Sequence, residues 1–235
     1  MSIRKNTAYN LFGTVVPIAV SLVTIPIYID VVGESRYGVL AIAWLLLGYF
    51  GLFDLGLGRA TAQRIAMLAN GKSEERSETF WTALAMNSAL GLLGALIMWP
   101  VALYFFGNHF SVDAELKPEI LEAVPWLALA VPVATMSGVL SGTLQGLSRF
   151  LELNLISVTG SALLQIAPLS VAVLYGPDLT WLIPATILTR LCVTALLFQR
   201  CYSSILAGHP FKVSKALSGK LLQFGGWVTI SSVIG

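Results

Sequence analysis

The run TFWTALAMNSALGLLGALIMWPVALYFF, residues 79–106, contains no Asp, Glu, Lys or Arg. A helix needs about 20 mostly apolar residues, at about 1.5 Å each, to cross about 30 Å of hydrocarbon. This run exceeds that length. Its apolar residues are continuous rather than alternating, which argues against a barrel strand, and a helix pairs every backbone group within the segment as lipid requires. Five further segments read the same way, at residues 9–32, 36–58, 120–146, 153–175 and 181–202. The expected fold is therefore all-α: a polytopic membrane helix bundle of six transmembrane helices plus the start of a seventh. Residues 1–210 would form the six-helix lobe, and 211–235 a linker and the opening of helix seven.

The bulk composition agrees. Hydrophobic residues make up 56% of the chain and charged residues 11%, with a mean hydropathy of +0.80. That is too little charge to coat a soluble globule of this size. A net charge of +2 and a pI near 8.6 give no nucleic-acid footprint, because the basic residues fall in loops flanking the spans rather than on one face. The two cysteines, Cys192 and Cys201, share one expected helix without a partner for a disulfide or a metal. The apolar stretch after Arg4 and Lys5 is longer than a signal core and lacks a small-residue cleavage pattern, so it reads as a retained first span.

Orientation follows from the basic residues, which favour cytoplasmic loops. With the N-terminus inside, Arg4, Lys5, Arg59, Arg64, Lys72, Arg76, Arg149, Arg200, Lys212, Lys215 and Lys220 lie in the cytoplasm, and only Arg36 and Lys117 fall outside. The longest external connection, 107–119, carries Asp113, Glu115 and Glu119 instead. After six spans the chain returns to the cytoplasm, and QFGGWVTISSVIG, residues 223–235, opens as the first span does: Phe12-Gly13 recurs as Phe224-Gly225, 212 residues later. Two such units would make a protein of roughly 420 residues with parallel halves, a common transporter plan. On that expectation, 235 residues are the N-terminal half and a C-terminal lobe is a missing partner.

Several motifs speak to packing. Gly138, Gly142 and Gly146, four apart on the fourth span, mark a face for close helix approach, and Gly91 with Gly94 and Ser157 with Gly160 are candidates for the same role. Prolines 17, 26, 100, 125, 132, 168 and 184 lie within spans. Each removes a helix hydrogen bond, giving either simple curvature or kinked helices around a cavity that bend during alternating access.

Ionisable groups inside a span are expensive and mark function. Arg190 lies nine residues beyond Trp181, about 14 Å deep at 1.5 Å per residue and near the bilayer centre. There it either pairs internally or meets an anionic ligand. Gln165 and Asn87 are neutral polar groups at similar depth, fitted to interhelical hydrogen bonds or to ligand contact. Asp54 lies near the cytoplasmic end of span two in FGLFDLGLGRATAQRIA, residues 50–66. It is either in a structural ion pair with Arg59 or Arg64, or a coupling-ion or proton site. Asp30 and Glu34, beside Arg36 at the outer end of span one, carry the same alternatives. His109 and His209 fall on opposite sides of the membrane, no metal cluster or catalytic constellation is visible, and no phosphate-cradling loop is present. The expectation is a non-enzymatic chain without cofactor.

The run IPIYIDVVGESRYGVLAIAWLLLGYFGLFDLGLGRATAQRIA, residues 25–66, resembles the first two spans of bacterial polysaccharide flippases of the multidrug, oligosaccharidyl-lipid and polysaccharide exporter superfamily. GTLQGLSRF, residues 142–150, and the opening of helix seven resemble the same family. The resemblance implies one lobe of a MATE-like two-lobed transporter in the bacterial inner membrane. Its substrate would be an undecaprenyl-diphosphate-linked oligosaccharide used in cell-surface polysaccharide biosynthesis. A diphosphate crossing hydrocarbon needs cations in place of its water. Arg190 suits that role by depth, and Arg59, Arg64 and Arg149 would draw the head group, or bilayer phosphates, to the cytoplasmic entrance. The rivals are a cation-coupled multidrug exporter of the same superfamily, a membrane glycan polymerase or ligase, and a non-transporting scaffold.

Overall fold

The computed structural model describes residues 3–49, 54–68, 72–109 and 115–234. Every regular element among them is helical: α1 (Ile3–Val32), α2 (Glu34–Tyr49), α3 (Leu57–Met67), α4 (Ser73–Asn108), α5 (Leu116–Gly146), α6 (Phe150–Tyr175), α7 (Leu179–Cys201) and α8 (Lys215–Ile234). A π-helical turn, Tyr202–Leu206, continues α7. Among the described residues, five helices are long and apolar enough to cross a membrane: α1, α4, α5, α6 and α7 with its π turn. The second expected span is divided. Its first part is α2, which ends at Tyr49 among the described residues. Its last residues, near Gly58, instead start α3, an amphipathic helix that runs on to Met67.

The break before α3 has a local cause. Leu55 and Gly56 are both left-handed, with φ of 48° and 69°. For leucine this conformation costs about 1 to 2 kcal/mol, so neighbouring contacts must hold it in place. Gly56 is required twice over, because a Cβ there would also collide with the Gly225 carbonyl oxygen on α8.

The chain forms two compact units, and α4, α5, α6 and α7 contribute to both. The first comprises Met1–Gly48, Ala95–Ala130 and Asn154–Val193. Tyr28, Leu40, Val124, Leu179, Leu182 and Ile187 are fully buried in its core. Arg36 there donates from Nη2 to Glu119 at 2.7 Å and lies 3.4 Å from Asp178, while Glu119 also accepts the Leu179 N–H at 3.0 Å. One carboxylate thus fastens the starts of α2, α5 and α7.

The second unit comprises Tyr49–Gly94, Val131–Leu153 and Thr194–Gly235, with Leu57, Ile65, Phe80, Leu140 and Leu144 at its core. The small-residue stripe of α5 seats α3. A Cβ on Gly142 would overlap the Gly58 carbonyl oxygen, and one on Gly146 would lie 2.6 Å from the Ala62 oxygen. Backbones approach this closely only where side chains are absent, which is how helices gain contact in lipid. Gly91 plays the same part on α4, where a Cβ would lie 2.6 Å from Pro132 Cα. In the first unit, Gly160 packs against Val193. By contrast Leu92, Leu93, Leu96 and Ile97 on α4 are exposed, the pattern of a helix turned toward lipid rather than water.

Candidate functional site

Two polar constellations lie within the apolar helices, one in each unit. In the first unit, Arg190 and Thr186 on α7, Ser161, Leu164 and Gln165 on α6, and Trp44 on α2 line a cavity of about 210 Å³. The spacing explains the convergence, since Thr186 with Arg190 and Ser161 with Gln165 are each four apart and so share a helix face. Trp44 brings an indole N–H that is buried without an acceptor among the described residues. Its ring meets Tyr28 edge-on at 5.4 Å between centroids.

Gln165 also anchors the cavity wall to α1. Its side-chain oxygen accepts from Thr24 Oγ1 at 2.5 Å, its amide nitrogen donates to Ser21 Oγ, and its carbonyl accepts from the buried Tyr28 hydroxyl at 2.5 Å. Ser21, Thr24 and Tyr28 follow the i, i+3, i+7 pattern of one helical face. They were not singled out in the sequence, although that spacing carries the signal.

The donors in this cavity, a guanidinium and an indole N–H, match the acceptor oxygens of an anion. An arginine in a low-dielectric pocket holds a phosphate far more strongly than one in water, since the ion pair is poorly screened.

The second constellation is packed rather than hollow. Asp54 accepts the Gly58 N–H at 3.0 Å on both oxygens, and Oδ1 also accepts from Asn87 Nδ2 at 2.6 Å. Asn87, fully buried on α4, donates from the same nitrogen to the Thr135 carbonyl of α5 at 3.0 Å, and Thr135 Oγ1 donates back to the Asn87 carbonyl at 3.1 Å. Asp54 Oδ2 lies where a Cβ on Gly58 or Gly138 would stand, at 2.8 and 2.9 Å. Among the described residues, amides rather than the guanidinium groups of Arg59 and Arg64 bond this carboxylate. Asn87 therefore works as the interhelical bond, tying the strained turn before α3 to α4 and α5.

Among the described residues, the other sequence candidates take no part in the hydrogen bonds or the cavity lining just described. Arg59 is exposed on α3. Arg149 is exposed and pairs with Glu152 at 3.4 Å. Asp30 is exposed on α1, and Arg36 pairs with Glu119 and Asp178, two partners that sequence adjacency to Asp30 and Glu34 did not suggest. Cys192 is exposed and Cys201 buried, both as free thiols. No group of His, Cys, Asp or Glu able to hold a metal occurs among the described residues.

An all-α chain with several membrane-crossing helices and a donor-lined cavity within them has the construction of a multi-pass transporter. The model of the polysaccharide biosynthesis protein family matches residues 3–235, and the chain belongs to that family. A Shigella flexneri protein named "Putative O-antigen transporter" is 26% identical over 245 residues, covering 100% of this chain and 55% of that protein. Solved structures share the fold. A MOP superfamily transporter from Pyrococcus furiosus has a TM-score of 0.70 at 16% identity, over 97% of this chain and 52% of that one. A MATE transporter in its straight conformation has a TM-score of 0.73 at 17% identity, over 98% of this chain and 52% of that one. The chain thus spans about half the length of the relatives it matches.

Proposed function

We propose that the protein is a flippase that moves an undecaprenyl-diphosphate-linked oligosaccharide across the bacterial inner membrane during cell-surface polysaccharide biosynthesis. The observation that carries this reading is the cavity where Arg190 meets the unsatisfied Trp44 indole N–H within membrane-crossing helices. These groups replace the water that a diphosphate loses on entering the bilayer, while the prenyl tail stays in lipid. Gln165 acts as a positioning residue, holding the α6 wall of the cavity against α1. The reaction is translocation, and no bond is made or broken by the chain.

The family and its O-antigen relative support the substrate class. The N-terminus lies in the cytoplasm on this reading, with Arg59 and Arg149 facing the leaflet from which the lipid-linked sugar enters. A C-terminal lobe completes the transport path.

The test is surface polysaccharide in cells whose only copy of the complete gene carries Arg190→Ala or Arg190→Lys. The expected result is loss of polymer and accumulation of the lipid-linked precursor on the inner leaflet with alanine, and partial export with lysine, which keeps the charge but not the bidentate fork. Unchanged export in both variants, at normal protein level, overturns the assignment.

A further inference from the structure

A third polar feature, which shares no lining or bonded residue with either constellation, lies where α3 meets α8 in the second unit. There a cavity of about 250 Å³ has Arg64 and Lys220 in its lining, over apolar walls formed by Met67, Leu217, Leu221 and Phe224. Arg64 Nε is buried in the protein and donates to no acceptor among the described residues. A buried donor without a partner costs about 1 to 3 kcal/mol, a penalty that an oxygen-rich ligand removes. Around the groove the surface is greasy. Met67 on α3 is 68% exposed, and Trp227 farther along α8 is 71% exposed.

We infer that this groove is a binding site for an anionic glycerophospholipid, with the phosphate held by Arg64 and Lys220 and the upper acyl chain laid along Leu217, Leu221 and Phe224. Basic pockets between membrane helices recognise phosphate head groups in this way. The size selects among phosphate amphiphiles. A cavity of about 250 Å³ falls below the range for drug-sized ligands, so one phosphate and its glycerol fill it and an oligosaccharide would lie outside it. Bilayer lipid rather than the scarce carrier lipid is the occupant, because occupancy follows concentration over dissociation constant and the bilayer is the solvent of this groove. The site is independent of the Arg190 cavity, whose residues are all in the other unit.

The test uses the protein expressed from its complete gene, purified in detergent and titrated with phosphatidylglycerol or phosphatidylcholine, with retained lipid counted by native mass spectrometry. One phosphatidylglycerol is expected to be retained in preference to phosphatidylcholine. Arg64→Gln and Lys220→Gln each weaken it about fivefold and the pair about thirtyfold, the conversion of about 1 kcal/mol per basic residue near a membrane surface. Arg64→Lys restores most of the retention. Arg190→Ala leaves it unchanged, so loss of export in that variant and loss of lipid here are separable results. Equal retention of phosphatidylcholine, undiminished retention by the double variant, or displacement by equimolar undecaprenyl phosphate overturns the proposal. Absence of any retained lipid from the complete protein does so too, since its own residues would then fill the groove.

Discussion

Replacing Asn87 by alanine removes a side chain that joins Asp54 to α5. Two hydrogen bonds are lost, to Asp54 Oδ1 at 2.6 Å and to the Thr135 carbonyl at 3.0 Å. Interhelical hydrogen bonds in membranes average about 0.6 kcal/mol and reach about 1.7. The short, charge-assisted bond to a carboxylate belongs at the upper end and the carbonyl bond near the mean, giving about 2 kcal/mol together. The truncated amide also leaves a void at a fully buried position, adding about 1 kcal/mol, so Asn87→Ala is expected to destabilise the protein by about 3 kcal/mol. Asp54→Ala removes the same carboxylate bond together with the Gly58 cap that holds the left-handed Leu55. The double variant should therefore be less damaged than the sum, by about 1.5 kcal/mol. The cycle is measured by SDS titration of purified protein in mixed micelles, following helix content by circular dichroism. Additivity within about 0.4 kcal/mol would mean that the pair does not interact energetically, and the keystone account of Asp54 would be wrong.

Four further outcomes follow from the packing, the charges and the orientation. Gly142→Val should lower stability by at least about 2 kcal/mol, because its Cβ overlaps the Gly58 carbonyl oxygen and α3 must move. Gly107→Ala, which meets open space, should be neutral in the same SDS titration. Glu119→Gln keeps an acceptor for the Leu179 N–H but removes the half of the clamp that attracts Arg36. The loss is expected to be about 1 kcal/mol at low ionic strength and to shrink in 0.5 M salt, whereas a salt-independent loss would make the clamp purely steric. A cysteine at His209, in a background without Cys192 and Cys201, should react with a membrane-impermeant maleimide only in inverted vesicles. Labelling of intact spheroplasts would reverse the proposed orientation.

What the sequence disclosed and what it withheld follow from the range of each interaction. The spans were legible because hydropathy is summed over about 20 residues, and one apolar run such as 79–106 decides its own conformation. The α5 face was legible for the same reason, since Gly138, Gly142 and Gly146 repeat at helical spacing. The partner of that face was not, because α3 lies about eighty residues earlier and nothing local encodes its arrival. The break of span two at Leu55 escaped notice because a left-handed leucine has no sequence signature, and its neighbour Asp54 is bonded by Asn87, a residue on another helix. Depth marked Arg190 and Gln165 as polar groups within spans, and the structure brings these two into one cavity. Depth alone also grouped Asn87 with them, yet its bonds go to Asp54 and Thr135. The Arg64 and Lys220 groove was invisible because it needs two residues more than 150 apart in sequence.

The central claim, that the Arg190 cavity carries the diphosphate head group, is tested most directly by reconstituting the complete protein in proteoliposomes. A fluorescent undecaprenyl-diphosphate oligosaccharide is loaded, and its exposure to an external glycosidase is followed over time. The wild type should move the lipid, and Arg190→Ala should slow it by about a hundredfold, the equivalent of about 2.7 kcal/mol for one buried charge-assisted contact. Transport by Arg190→Ala at the wild-type rate would contradict the account.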